Sequence, residues 1–147
     1  MRKLILIILL ALGYSQIHLE LFMTPEIFIL NDIPDTTAAV EDSLIYLEAR
    51  VTNSNGFGIS NIPVMFESLT PYSGYLSHSM NYTDSSGIVH NYMSNINLSD
   101  FEFLPDSVTV RASINLSDTT ISVENSSLIM PLTYYNSLQV ANLQTAG

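Results

Sequence analysis

The residue types able to do chemistry are present in this chain but scattered. Three histidines, His18, His78 and His90, stand far apart and none makes an HxxH or HExxH spacing, so no zinc site is legible. Asp84-Ser85-Ser86-Gly87 opens like a calcium loop. The residue twelve along is Asn95 rather than a glutamate, and position 86 is a serine, so the run reads as a turn. Asp32, Asp35, Glu41 and Asp42 are dense enough to attract a cation but read as a solvated loop before a core strand. Serines are abundant without a Gly-x-Ser-x-Gly elbow, and no glycine-rich phosphate loop occurs. The expectation is no catalytic residue, no metal and no cofactor. Sequons at Asn81, Asn97, Asn115 and Asn125 are those expected by chance in a chain rich in Asn, Ser and Thr.

The residues best suited to contact a partner are tyrosines. Tyr72, Tyr75 and Tyr82 fall in one connection, where an exposed row can stack on sugar rings or on a protein surface. The plainer reading of the same side chains is packing at the rim of the core.

Strands must position these residues. Ile45, Leu47, Ala49 and Val51 alternate with Tyr46, Glu48, Arg50 and Thr52, the period of a half-buried strand. Ile62, Val64 and Phe66 repeat the pattern, as do Val108, Val110, Ala112 and Ile114, and more briefly Ile121 and Val123. A further strand is expected within Glu26 to Leu30. Residues 88–94 also read as a strand, with either Val89, Asn91 and Met93 or Ile88, His90 and Tyr92 facing inward, since a one-residue slip exchanges the faces. Turn clusters separate these runs, and no sustained helical period follows residue 15. The chain is predicted to be all-β, a two-layer sandwich. If 62–67 and 107–114 are neighbours, Glu67 and Arg111 face each other across the strands.

Gly56 and Gly58 supply conformational freedom where the chain reverses before Pro63, and Asp84 with Gly87 forms a second such turn. Arg50-Val51-Thr52-Asn53, Asn55-Gly56 and Ile62-Pro63-Val64-Met65-Phe66 together resemble the bacterial immunoglobulin-like group 1 repeat of invasins and intimins. Thr83-Asp84-Ser85-Ser86-Gly87-Ile88-Val89 resembles that family's turn before a middle strand, and Val108-Thr109-Val110-Arg111-Ala112 its penultimate strand. The resemblance spans roughly Glu26 to Glu124; Asn53 and Val89 stand where the family usually has Asp and Ala. It implies an immunoglobulin-like Greek-key β-sandwich of about seven strands, acting as a non-catalytic spacer or adhesion element at a bacterial cell surface. Transthyretin-like and carbohydrate-binding accessory sandwiches share the turn logic and supply the alternative, in the periplasm or secreted medium.

Arg2 and Lys3, the apolar run Leu4–Leu12 and then Gly13-Tyr14-Ser15 have the order of a secretory signal peptide. Residues 1–15 are therefore expected to be removed, 16–125 to form the sandwich, and 126–147 to be an extension, linker or added edge strand. No cysteine occurs, which excludes disulfides and lipid attachment at the cleavage site. Beyond residue 15 only Arg50 and Arg111 oppose 14 acidic residues, a balance that repels nucleic acid and anionic lipid. The expected partner is a protein or glycan, with no nucleic acid and no membrane insertion of the mature chain.

Overall fold

A computed structural model describes residues 17–30, 32, 44–70 and 73–145. The expected signal peptide, Tyr72 and the acidic residues 35, 41 and 42 lie outside them. Among the described residues nine strands form two sheets: β1 (His18–Thr24), β2 (Ile27–Leu30), β3 (Ile45–Thr52), β4 (Pro63–Ser68), β5 (Tyr75–Leu76), β6 (Met80–Tyr82), β7 (Ile88–Ser94), β8 (Asp106–Asn115) and β9 (Thr120–Pro131). One sheet runs β1-β3-β7-β5 and the other β2-β9-β8-β4-β6. Only the β2–β9 pair is parallel. These are the two layers of an immunoglobulin-like sandwich, its first strand divided between them. Two short strands, β5 and β6, occupy the connection after β4 and raise the count above the seven expected.

Alternation builds the core. Ile45, Leu47, Ala49 and Val51 of β3 meet Val64 and Phe66 of β4 and Val108, Val110, Ala112 and Ile114 of β8, all buried. Each Val, Leu, Ile or Phe among them contributes about 1.5–3 kcal/mol of burial, the two alanines less. In β7 the register resolves with Val89, Asn91 and Met93 inward. Asn91 can face inward because its side chain replaces a strand partner: Oδ1 accepts from the backbone N–H of His78 at 3.2 Å, and Nδ2 donates to the His78 carbonyl at 2.7 Å.

β1 was not foreseen, and β9 runs on through residues 126–131, which the sequence reading placed in a C-terminal extension. Its inward positions include Asn125 and Ser127, so hydropathy hides the strand. Asn125 Nδ2 donates to the Leu21 carbonyl at 2.8 Å, and the wholly buried Ser127 hydroxyl donates to the Pro25 carbonyl at 2.7 Å. Both bonds secure the crossing from β1 to β2.

Helix α1 (Leu132–Thr145) corrects the expectation that no helix follows the signal segment. It holds no charged residue, and its apolar residues do not gather on one face, so no helical period is visible in the sequence. Its first turn is held from afar: Asp32 accepts from the Thr133 N–H at 3.0 Å and from the Thr133 hydroxyl. These bonds hold the Asp32 carboxyl below its usual range.

Candidate functional site

The two glycine turns form one structure. The Val51 N–H donates to the Gly87 carbonyl at 2.8 Å, and the Ile59 N–H donates to the Val51 carbonyl at 2.9 Å. The backbones touch so closely that a Cβ on Gly58 would lie 1.9 Å from the Ser86 carbonyl oxygen. One on Gly87, whose φ is +76°, would lie 2.6 Å from Gly58 Cα. Gly56, at φ +80°, instead faces open space. Asp84 Oδ1 accepts from the N–H groups of Ser86 at 2.8 Å and Ile88 at 3.0 Å. These backbone donors depress its carboxyl pKa and occupy the oxygen within its own turn. Thr83 completes the junction: its buried hydroxyl donates to the Ile59 carbonyl at 2.7 Å and accepts from the Ile62 N–H at 2.9 Å.

The two described tyrosines of the expected row go to different sheets. Tyr75 pairs with Ser94 at the edge of the β1-β3-β7-β5 sheet, while Tyr82 pairs with Pro63 at the edge of the other. Both are exposed, and the topology does not bring them onto one face. Among the described residues no group of three or more His, Asp or Glu side chains could hold a metal ion, and no described helix is long and apolar enough to cross a membrane.

A different aromatic surface lies on the outer face of the β1-β3-β7-β5 sheet. Register places its residues in rows across the strands: Thr24–Tyr46–Tyr92, then Phe22–Glu48–His90, then Glu20–Arg50–Ile88. Successive rows lie roughly 7 Å apart along the strands. Tyr46 is 58% exposed, Phe22 44% and Tyr92 42%, unusual values for adjacent large rings on one sheet face. Between them a groove of about 380 Å³ is lined by Phe22, Thr24, Tyr46, Glu48, Arg50 and His90. The Arg50 guanidinium stands 5.4 Å from the centre of the Phe22 ring and donates to Glu48 Oε1 at 3.0 Å. Arg50 Nε is buried and makes no hydrogen bond.

The opposite outer face carries a polar network across β4, β8 and β9 at its centre, with Ile27, Ile29, Met80 and Tyr82 exposed toward its edges. Arg111 lies between Glu67 and Glu124, with nitrogen–oxygen distances of 3.3 and 2.7 Å, and the Glu67–Arg111 pairing is the one read from the sequence. Hydrogen bonding to Glu124 above all raises the guanidinium pKa. Such exposed pairs contribute little to stability.

Sequence reasoning placed Tyr46, Glu48 and Arg50 on one outer face but did not connect them with Phe22 or His90. The alternation of Tyr46 between two core residues was the available signal. The strand pairing that adds the neighbours is not written locally.

The fold is an immunoglobulin-like sandwich with exposed aromatic side chains on the outer face of one sheet. No family model matches the chain, and no curated protein matches it in sequence. Among solved structures, the D0-D1 domain of intimin is similar at TM-score 0.50 and 19% identity, over 76% of this chain and 48% of that one. The D00-D0 domain of intimin is similar at TM-score 0.45 and 23% identity, over 59% of this chain and 38% of that one. The chain thus spans less than half the length of either. The D0-D1 likeness shows the fold, which is the invasin/intimin-type immunoglobulin-like fold expected from the residues.

Proposed function

We infer that the protein is a non-catalytic, exported immunoglobulin-like module serving as a spacer or adhesion element of a bacterial cell surface. One observation carries the reading: the first strand of the sandwich begins at one pole and its last strand ends at the other, where α1 follows. β1 begins opposite the end of β3, at the pole of the glycine junction, whereas β9 ends beside Leu30 at the far pole. A module of this polarity lengthens a chain of domains instead of folding it back. The likeness to an intimin domain and the signal-peptide order of residues 1–15 support the same reading. The test is expression of the full chain with a C-terminal epitope in a Gram-negative host, followed by fractionation and mass spectrometry of the N-terminus. Recovery outside the cytoplasmic membrane with a mature start near Gln16 is expected. Cytosolic recovery with residues 1–15 intact refutes export and the role built on it.

A further inference from the structure

We propose that the groove on the outer face of the β1-β3-β7-β5 sheet is a binding site for a neutral carbohydrate chain, with Tyr46 and Phe22 as stacking surfaces and Glu48, Arg50 and His90 as hydrogen-bonding groups. The spacer reading assigns no ligand to this face.

The lining is amphipathic on the scale of a single ring. Tyr46 and Phe22 present apolar ring surface to solvent, and Glu48 lies between Phe22 and His90 in the middle row. A pyranose has the matching division, with C–H bonds on its faces and hydroxyls around its rim. Glu48 keeps acceptor capacity beyond its bond to Arg50, and a sugar hydroxyl can donate there. Arg50 Nε is a buried donor without an acceptor. The Arg50 side chain is nonetheless 43% exposed, and its guanidinium has donors beyond the one given to Glu48 that a sugar hydroxyl oxygen can accept from. The groove volume of about 380 Å³ falls within the range of small-molecule clefts.

Charge selects among occupants. The net charge of the chain is −10, which disfavours an anionic polymer and a second copy of the same chain. The cation in the groove is already paired, because Arg50 donates to Glu48. A neutral ligand meets no uncompensated charge. The platform is also rigid: the intervening residues Leu47, Ala49 and Asn91 are buried, so the rings stand on a packed sheet and lose little freedom on binding.

The test is an NMR titration of the purified chain with two neutral oligosaccharides, cellohexaose and chitohexaose, followed by a neutral-glycan array; polygalacturonate and an unrelated uncharged peptide serve as comparators. Saturable shifts at the amides of Phe22, Tyr46, Glu48 and His90 with at least one neutral glycan are expected. Tyr46→Ala should weaken that binding about tenfold or more, and Tyr46→Phe should retain most of it. Tyr82→Ala, on the other sheet, should leave it unchanged. Because Tyr46 is mostly exposed, its variants should keep the parent's amide spectrum elsewhere. The proposal is overturned if no neutral glycan moves these amides, or if only polygalacturonate or the peptide does. It is equally overturned if Tyr46→Ala binds as tightly as the parent, or if the face proves to be a concentration-dependent dimer contact. Each such result leaves the export test standing.

Discussion

The contact between the two glycine turns makes a quantitative claim about three single substitutions. Gly56→Ala places a Cβ in open space and costs only the left-handed backbone conformation, about 1–2 kcal/mol. At Gly58 the new carbon would sit 1.9 Å from the Ser86 carbonyl oxygen, so the two backbones must separate. Separation strains the Val51–Gly87 and Ile59–Val51 hydrogen bonds. Each lost bond costs about 0.5–1.5 kcal/mol. Adding overpacking of about 1 kcal/mol gives about 2–4 kcal/mol for Gly58→Ala. Gly87→Ala incurs the same separation and the positive φ together, about 3–6 kcal/mol. Total stabilities of about 5–15 kcal/mol make these losses large. Urea unfolding followed by circular dichroism reads them directly. With an m-value of about 1.5 kcal/mol/M, a loss of 3 kcal/mol moves the midpoint by about 2 M. The expected order of damage is Gly87, Gly58, Gly56. Gly58→Ala proving no worse than Gly56→Ala, with m unchanged, would refute the backbone contact.

The same measurement serves other residues. Thr83→Val removes the hydroxyl that accepts from Ile62 and donates to Ile59 without changing shape, and is expected to cost about 1–3 kcal/mol, with Thr83→Ser restoring most of it. Ser127→Ala leaves the Pro25 carbonyl without its buried donor and should cost about 1–3 kcal/mol; a neutral result would show that water or a backbone shift replaces the hydroxyl. Asp84 and Asp32 both have carboxyl pKa values depressed in the fold. Their contribution is therefore fully present above the ordinary carboxylate pKa and is lost as pH falls through the depressed values. Stability should decline in acid, and Asp84→Asn should flatten that decline, as measured by urea midpoints across a pH series.

How much of this was legible depended on whether a residue's neighbours lie nearby in sequence. β3, β4 and β8 declare themselves because their buried inward positions are all apolar. β7 does not, since Asn91 faces inward to bond His78 across a connection that hydropathy cannot anticipate. β9 is masked by Asn125 and Ser127, polar residues whose partners, Leu21 and Pro25, are about a hundred residues away. The helix lacks a period, and its residues 136–141 are exposed; Asp32, which bonds its first turn, belongs to a distant segment. The glycine turns were read as separate strand junctions; that they touch follows only once β3 and β7 are paired. The aromatic face had the same obstacle. Tyr46 could be placed on an outward surface, but Phe22 and His90 join it only through register.

The two outer faces of the sandwich differ in how the side chains at their centres are partnered. On the β8 side, Arg111 joins Glu67 and Glu124, and Thr109 bonds Ser126 at 2.8 Å, so side chains across the strands satisfy one another. That network is confined to the centre of the sheet; Ile27 and Ile29 of β2 and Met80 and Tyr82 of β6 stand exposed toward its edges. On the β3 side, large rings stand exposed around a buried donor that has no acceptor. Stability alone favours covering or replacing those rings, since exposed aromatic surface gains nothing from the core beneath it. The contact role proposed for these rings is separable from any role in covering the sheet beneath them. Replacing Phe22, Tyr46 and Tyr92 together with threonine separates the two roles. The variant should keep its unfolding free energy within about 1.5 kcal/mol of the parent, at about 0.5 kcal/mol for each exposed substitution, while losing glycan binding. A collapse of the fold would instead mean that the rings act as structural cover for the sheet.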